Sequence, residues 1–178
     1  GEIAIFNRSH YEEVLVVRVH PEFLDGQHLP PSAVTGDIWK RRFREINDWE
    51  QMLVDNGFPV VKVFLHLSKQ EQRERLLARI DTPAKNWKFS AMDLAERGHW
   101  DDYQAAYEDM IRHTSTKAAP WYVVPADNKW FTRLVVAEIV AAALIDIDPQ
   151  YPTLSAAELA GLDEARRRLE AEDLGRDR

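Results

Sequence analysis

Apolar positions along the chain fall into two rhythms, and they alternate. Trp39, Phe43, Ile46, Glu50 and Leu53 recur at three- and four-residue steps between the capping candidates Thr35-Gly36-Asp37 and a closing Asn56-Gly57. That spacing predicts a long amphipathic helix. After Pro59 the run Val-Val-Lys-Val-Phe-Leu-His-Leu is almost continuously apolar, as in a strand covered on both faces. Ser68-Lys69-Gln70-Glu71 has the form of a capping box, so a helix is expected at once, ending near Ile80 where Asp81-Thr82-Pro83 disfavours its continuation. Ser90-Ala91-Met92-Asp93 opens a short helix, and Tyr103, Tyr107, Met110 and Ile111 lie on one stripe of the segment from Trp100 to Arg112. Trp121 to Val124 reads as a strand and Lys129 to Ile145 as a final buried helix. Ile3 to Phe6 forms one further short apolar strand at the beginning.

Strands separated by long helical crossovers imply parallel pairing. The expected fold is α/β, a parallel sheet sandwiched by helices in three α/β/α layers, with a helical lid at about residues 80–113. Residues 1–151 form the expected domain. Residues 152–178, rich in Ala, Glu and Arg with Ser155-Ala156-Ala157-Glu158 as a second capping box, read as a polar helical tail.

Composition narrows the partners. A formal charge of −7 over 178 residues discourages nonspecific polyanion binding, so no nucleic-acid role is expected, and an anionic ligand must meet a local basic cluster. Two such clusters exist: Lys40, Arg41, Arg42 and Arg44, and Arg73, Arg75, Arg79, Lys85 and Lys88. Basic runs of this kind are often only solvated helix faces. The absence of cysteine suits a reducing compartment and excludes thiolate metal sites. No apolar stretch approaches the ~20 residues of a membrane span. A soluble, cytoplasmic protein is the expectation.

The chemistry starts at Asn7. An apolar strand followed abruptly by Asn7 and Arg8 has the layout of a Walker B segment, in which a side-chain oxygen is delivered near Mg²⁺ and an arginine meets phosphate oxygens. Glu12 and Glu13 follow closely and can serve either as ligands to Mg²⁺ or Mn²⁺ or as ordinary acids at a helix N-terminus. Lys62 stands inside an apolar run and needs an anionic partner, for which an internal carboxylate and a ligand phosphate serve equally. His66 follows the same strand, where a packing role competes with a ligand role. The segment from Arg79 to Phe89 has cations at both ends and an exposed-looking Trp87, able to stack on a base or on its own helices. It reads as a lid of the kind that closes over phosphates. No Gly-x-x-x-x-Gly-Lys-[Ser/Thr] loop occurs in the chain, so a phosphate cradle is expected upstream, within about a hundred preceding residues.

Several long motifs, taken in order, resemble the polyphosphate kinase 2 family, a branch of P-loop kinases similar to thymidylate kinases. They are Ile5-Phe6-Asn7-Arg8-Ser9-His10-Tyr11-Glu12, Val14-Leu15-Val16-Val17-Arg18-Val19-His20, Lys62-Val63-Phe64-Leu65-His66-Leu67-Ser68-Lys69, Asn86-Trp87-Lys88-Phe89-Ser90 and Ala119-Pro120-Trp121-Tyr122-Val123-Val124-Pro125-Ala126-Asp127-Asn128-Lys129-Trp130. The resemblance implies a helix from Glu12 to Val19. It also implies Mg²⁺-dependent phosphoryl transfer between inorganic polyphosphate and an adenine or guanine nucleotide, by a homo-oligomer. Asn7, Arg8 and Glu12 are then the catalytic positions and Asn7, Glu12 and Glu13 the metal positions. Arg8, Arg18, Arg42, Lys62, Arg79 and Lys88 are placed on phosphate or polyphosphate, and Asp81 and Trp87 near the nucleotide. Asn7 replaces the aspartate of many members and resembles the subgroup that phosphorylates nucleoside monophosphates as well as diphosphates. An ATP-dependent nucleoside monophosphate kinase and a noncatalytic kinase remnant are the competing expectations.

Overall fold

The computed structural model describes residues 2–172; the last part of the expected tail, residues 173–178, lies outside the described residues. The chain opens with residues 2–6 in no sheet ladder, and Ile3, Ile5 and Phe6 are exposed. The strand expected over Ile3–Phe6 is therefore not formed. A strand needs a ladder partner, and no described strand lies beside it.

Ser9 caps the one-turn 3-10 helix His10–Val14, its hydroxyl accepting from the Tyr11 amide at 3.3 Å. A break at Leu15 follows, then the single α turn α1, Val16–Val19. The continuous helix implied for Glu12–Val19 is thus divided. Four valines in this stretch stiffen χ1 and lower helix propensity. Two further 3-10 segments, Pro21–Gln27 and Pro31–Ala33, lead to α2, Ile38–Asp55. This is the amphipathic helix expected from the sequence, and it buries Ile38, Phe43, Ile46 and Glu50. It ends in a Schellman motif: Gly57 takes φ +82°, the Phe58 amide donates to the Leu53 carbonyl and the Gly57 amide to Val54.

Strand β1, Lys62–His66, pairs in parallel with β2, Trp121–Pro125, in the register Lys62↔Trp121 to His66↔Pro125. Between them run α3, Lys69–Ile80, the 3-10 segment Pro83–Lys88, α4, Ala91–Gly98, and α5, Trp100–Thr114. Ser68 supplies only half of the expected box. Its hydroxyl accepts from the Glu71 amide at 3.1 Å, but Glu71 turns to Arg75, and the Ser68 amide donates instead to Asp127 at 2.8 Å. Ser90 and Asp93 complete a full capping box.

Tyr11, Val14, Phe43, Ile46 and Met110 form the core, with Trp39, Tyr107 and Trp121 packed on it. Helix α5 buries Ala106, Met110 and Thr114, so it belongs to this core, and the exposed lid-like part of the crossover is confined to the 3-10 segment and α4. Helix α6, Lys129–Ile147, was expected to be buried, yet none of its residues is, and Trp130 and Ile145 stand largely exposed. One stripe, with Val135, Val136, Ile139, Ala143 and Leu144, is only half-buried. Two compact units are distinguished, Gly1–Asp146 and Ile147–Arg178. The second contains α7, Ala156–Ala171, opened by the expected Ser155–Glu158 capping box.

Candidate functional site

Three consecutive residues of β1, Val63, Phe64 and Leu65, line the floor of a cleft of about 720 Å³. Neighbouring strand residues point to opposite faces, so all three reach one cavity only because the unpaired edge of β1 opens into it. The polar turn contributes Arg8 and Glu12, α3 contributes Gln72, Arg75 and Arg79, and α4 contributes Asp93, Glu96 and Arg97. Trp100, Tyr103 and Tyr107 of α5 close the apolar side. Gln72, Arg75 and Arg79 fall on one face of α3 by their spacing of three and four.

The four arginines are not equivalent. Arg75 donates to Glu71 at 2.7 Å and to the Ala126 and Asp127 carbonyls at 2.7 and 3.1 Å, which ties α3 to the loop after β2. Arg97 donates to the Lys69 carbonyl at 2.8 Å and to Gln72 at 2.7 Å. Both are fixed by the fold. Arg8 and Arg79 are the more exposed, at 76% and 44% of the side chain. Arg8 donates through Nε and Nη2 to the two oxygens of the Glu12 carboxylate, which raises its pKa further, and Arg79 lies 3.8 Å from Asp93. Each of these two can exchange a solvated carboxylate for a phosphate oxygen at small cost. Arg8 also adopts φ +73°, the left-handed region that only a few per cent of non-glycine residues occupy.

The remaining expected residues are placed elsewhere. Lys62 takes the internal carboxylate: its ammonium donates to Glu50 at 2.6 Å, to the Thr114 carbonyl at 2.7 Å and to the Tyr11 hydroxyl at 3.0 Å, buried beneath Tyr11 and Trp121. All three ammonium protons are used, so the phosphate reading of Lys62 is corrected. Burial lowers Lys62 below an ordinary lysine. It would raise Glu50 as well, but the His10 imidazole 3.7 Å away and the hydrogen bonds from Lys62 and Tyr11 outweigh it and hold the carboxyl below its usual value. Arg18 pairs with Asp109 at 2.5 Å against Phe43, and it does not line the cleft. Arg42, 11% exposed, donates to the Glu13 carbonyl and to Gln27 and pairs with the Glu13 carboxylate at 3.0 Å. In this arrangement Arg42 is held by the fold and Glu13 is its partner, and neither lines the cleft.

Asn7 is exposed beside Arg8. Lys88 lies over the exposed Trp87 ring at 4.9 Å, on a loop tied back by Asn86 to the Arg79 and Ile80 carbonyls. Neither Lys88, Trp87 nor Asp81, which caps the end of α3, lines the cleft. Among the described residues no three His, Asp, Glu or Cys side chains converge as a metal cage, and no helix is long and apolar enough to cross a membrane. Sequence reasoning missed Arg97, Glu96 and Tyr103. The signal was the i, i+4 pair Asp93 and Arg97 on the face of α4 that also carries Glu96.

The family model for polyphosphate kinase 2 matches residues 1–152. The chain belongs to the polyphosphate kinase 2 family. It is 49% identical over 170 residues to the ADP-polyphosphate phosphotransferase of Rhodopseudomonas palustris, covering 95% of this chain and 59% of that protein. It is also 49% identical over 152 residues to the AMP/ADP-polyphosphate phosphotransferase of Meiothermus ruber, covering 85% of this chain and 53% of that one. The crystal structure of polyphosphate kinase 2 from Arthrobacter aurescens TC1 superposes with a TM-score of 0.75 at 42% identity, over 89% of this chain and 53% of that one. The chain thus spans between half and three fifths of the length of these relatives. Its helix-rich fold with a small parallel sheet matches the polyphosphate kinase 2 architecture.

Proposed function

We propose that the protein containing this chain transfers the terminal phosphoryl group of inorganic polyphosphate to a nucleoside diphosphate or monophosphate, ADP to ATP and AMP to ADP, reversibly. The observation that supports this best is the convergence of two accessible arginines, Arg8 and Arg79, on one cleft, each facing a single carboxylate. Ligands of parallel α/β sheets sit beyond the carboxyl ends of the strands. The unpaired edge of β1 is the proposed seat of an upstream strand whose Gly-rich loop would cradle phosphate through its amides. On this reading the chain alone is inactive.

Phosphoryl transfer asks for positioning and charge neutralisation more than for covalent chemistry. Arg8 and Arg79 neutralise the equatorial oxygens of the transferred group. Lys88 and Trp87, on the loop beyond α3, are available to a polyanion or a base that extends past the cleft. Asn7 and Glu12 fit Mg²⁺ or Mn²⁺, which needs one or two protein oxygens besides phosphate, and the ion when bound would draw charge off the bridging oxygens. Glu12 serves it only after Arg8 has moved to phosphate. A neutral Asn7 removes one negative charge from this region, which suits AMP as an acceptor. A cytoplasmic homo-oligomer acting on adenine or guanine nucleotides completes the reading.

The test is nucleotide chromatography of the complete gene product after incubation with Mg²⁺, polyphosphate and either ADP or AMP. ATP and ADP, respectively, are the expected products. Transfer from ATP to a monophosphate, with none from polyphosphate, would assign it as a nucleoside monophosphate kinase.

A further inference from the structure

Four elements meet at one buried ion pair, Glu50 with Lys62. The Tyr11 hydroxyl donates to Glu50 Oε1 at 2.7 Å, Lys62 donates to Oε2 at 2.6 Å, and His10 Nε2 stands 3.7 Å from Oε1. Lys62 in turn reaches the Thr114 carbonyl at the end of α5. Glu50 is 1% exposed and Lys62 6%. Apolar side chains of similar volume would fill these places without desolvating two charges, so the polar group is better explained by the geometry it imposes than by stability alone.

What it holds in place is Tyr11. This residue lies in the same single 3-10 turn as Glu12, and its amide and that of Glu12 both bond to Ser9. Arg8 immediately precedes that cap in its left-handed conformation, which a residue with a Cβ keeps only where its neighbours impose it. The anchor and the strained residue are three positions apart. Tyr11 is the hydrogen-bonded link from this buried group to the turn that carries Arg8 and Glu12.

We propose that Glu50 is a positioning residue for the cleft-facing Arg8–Glu12 pair, acting through the Tyr11 hydroxyl, with Lys62 as the counter-charge that keeps Glu50 ionised. Its effect on turnover rests on the phosphoryl-transfer reading; its effect on the backbone does not. The test uses the complete gene product, with Tyr11→Phe and with the double variant Glu50→Leu/Lys62→Met. Phenylalanine keeps the ring against Trp121, at 4.8 Å between centroids, and leaves the Glu50–Lys62 bond in place. Tyr11→Phe is expected to lower kcat about tenfold with KM for polyphosphate within about twofold, since misorientation costs rate more than affinity. It should also speed amide exchange of Tyr11 and Glu12 about tenfold. The double variant is expected to regain the melting temperature lost by Glu50→Leu alone without regaining turnover. Turnover that returns in step with melting temperature would overturn the proposal, as would wild-type exchange at Tyr11 and Glu12 in Tyr11→Phe. If the wild-type protein transfers nothing from polyphosphate, the functional reading fails, and the exchange rates still decide the positioning claim.

Discussion

On the α2 side of Tyr11 the shielded cations are paired within the fold, whereas on the α3 side cations face a cleft. Lys62 with Glu50, Arg42 with Glu13 and Arg18 with Asp109 are pairs made within the fold and shielded to different degrees. Arg8 and Arg79 are themselves more exposed, at 76% and 44% of the side chain against 5%, 11% and 27% for Lys62, Arg42 and Arg18. All five cations look alike in the sequence, and all five were candidates for phosphate. A cation neutralised at home and buried must lose its partner before it can meet a ligand, which leaves the partner charge stranded. A cation paired in solvent loses little, because exposed pairs contribute about 0 to 1 kcal/mol.

The sharpest way to break this contrast is to strand a charge on the closed side. Glu50→Ala should cost about 3–5 kcal/mol in a denaturant titration, because it leaves Lys62 buried and unpaired. The pH dependence has the same origin. Glu50 titrates below its ordinary value of 4.5 in the folded protein, so its contribution is present above pH 4.5 and is lost as pH falls through the lowered value. Wild-type stability should therefore decline on acidification below 4.5, and Glu50→Gln should lack that component of the decline.

How much of this was legible in the sequence depended on whether a local signal existed. Helices α2, α3, α4 and α7 announced themselves by apolar spacing and by Ser caps, which act over a few residues. Ile3–Phe6 and α6 failed for the opposite reason. Their apolar character was read correctly, but burial requires a neighbour, and a neighbour is not written into the segment itself. The site was divided in the same way. Arg8, Glu12 and Arg79 do reach one cleft, while Lys62 met a carboxylate twelve residues back on α2 and Arg42 met Glu13 across the 3-10 segments. Spacing along the chain could not choose between an internal and an external anion for either residue.

A smaller effect sharpens the open side. The imidazole of His20 joins α4 through Glu96 at 3.0 Å and also faces Glu22 at 3.4 Å, with Tyr103 donating to the same Glu96 oxygen and the His99 ring edge-on to it. Glu96 raises the pKa of His20, and Tyr103 together with His20 lowers that of Glu96. The His20 contribution is therefore complete below its ordinary 6.5 and lost as pH rises through the raised value. The Glu96 contribution is complete above 4.5 and lost as pH falls through the lowered one. Amide exchange in α4, corrected for intrinsic base catalysis, should be slowest between these limits and faster by about two- to threefold toward pH 8.5, in keeping with a part-exposed pair. His20→Gln should remove the alkaline part of that dependence, and an unchanged profile would show that the tie contributes nothing.

The division between holding charges and working charges is tested most directly by measuring turnover and melting temperature together for Arg79→Ala and Arg42→Ala in the complete gene product. Arg79→Ala is expected to lose about a hundredfold in polyphosphate-dependent turnover with a melting temperature within about 1 °C of wild type, as befits a stabiliser of transferred charge. Arg42→Ala is expected to melt several degrees lower, at roughly 4 °C or more, while the folded fraction turns over within about threefold of wild type. The reverse result, with Arg42→Ala inactive at unchanged melting temperature and Arg79→Ala active, would contradict the account.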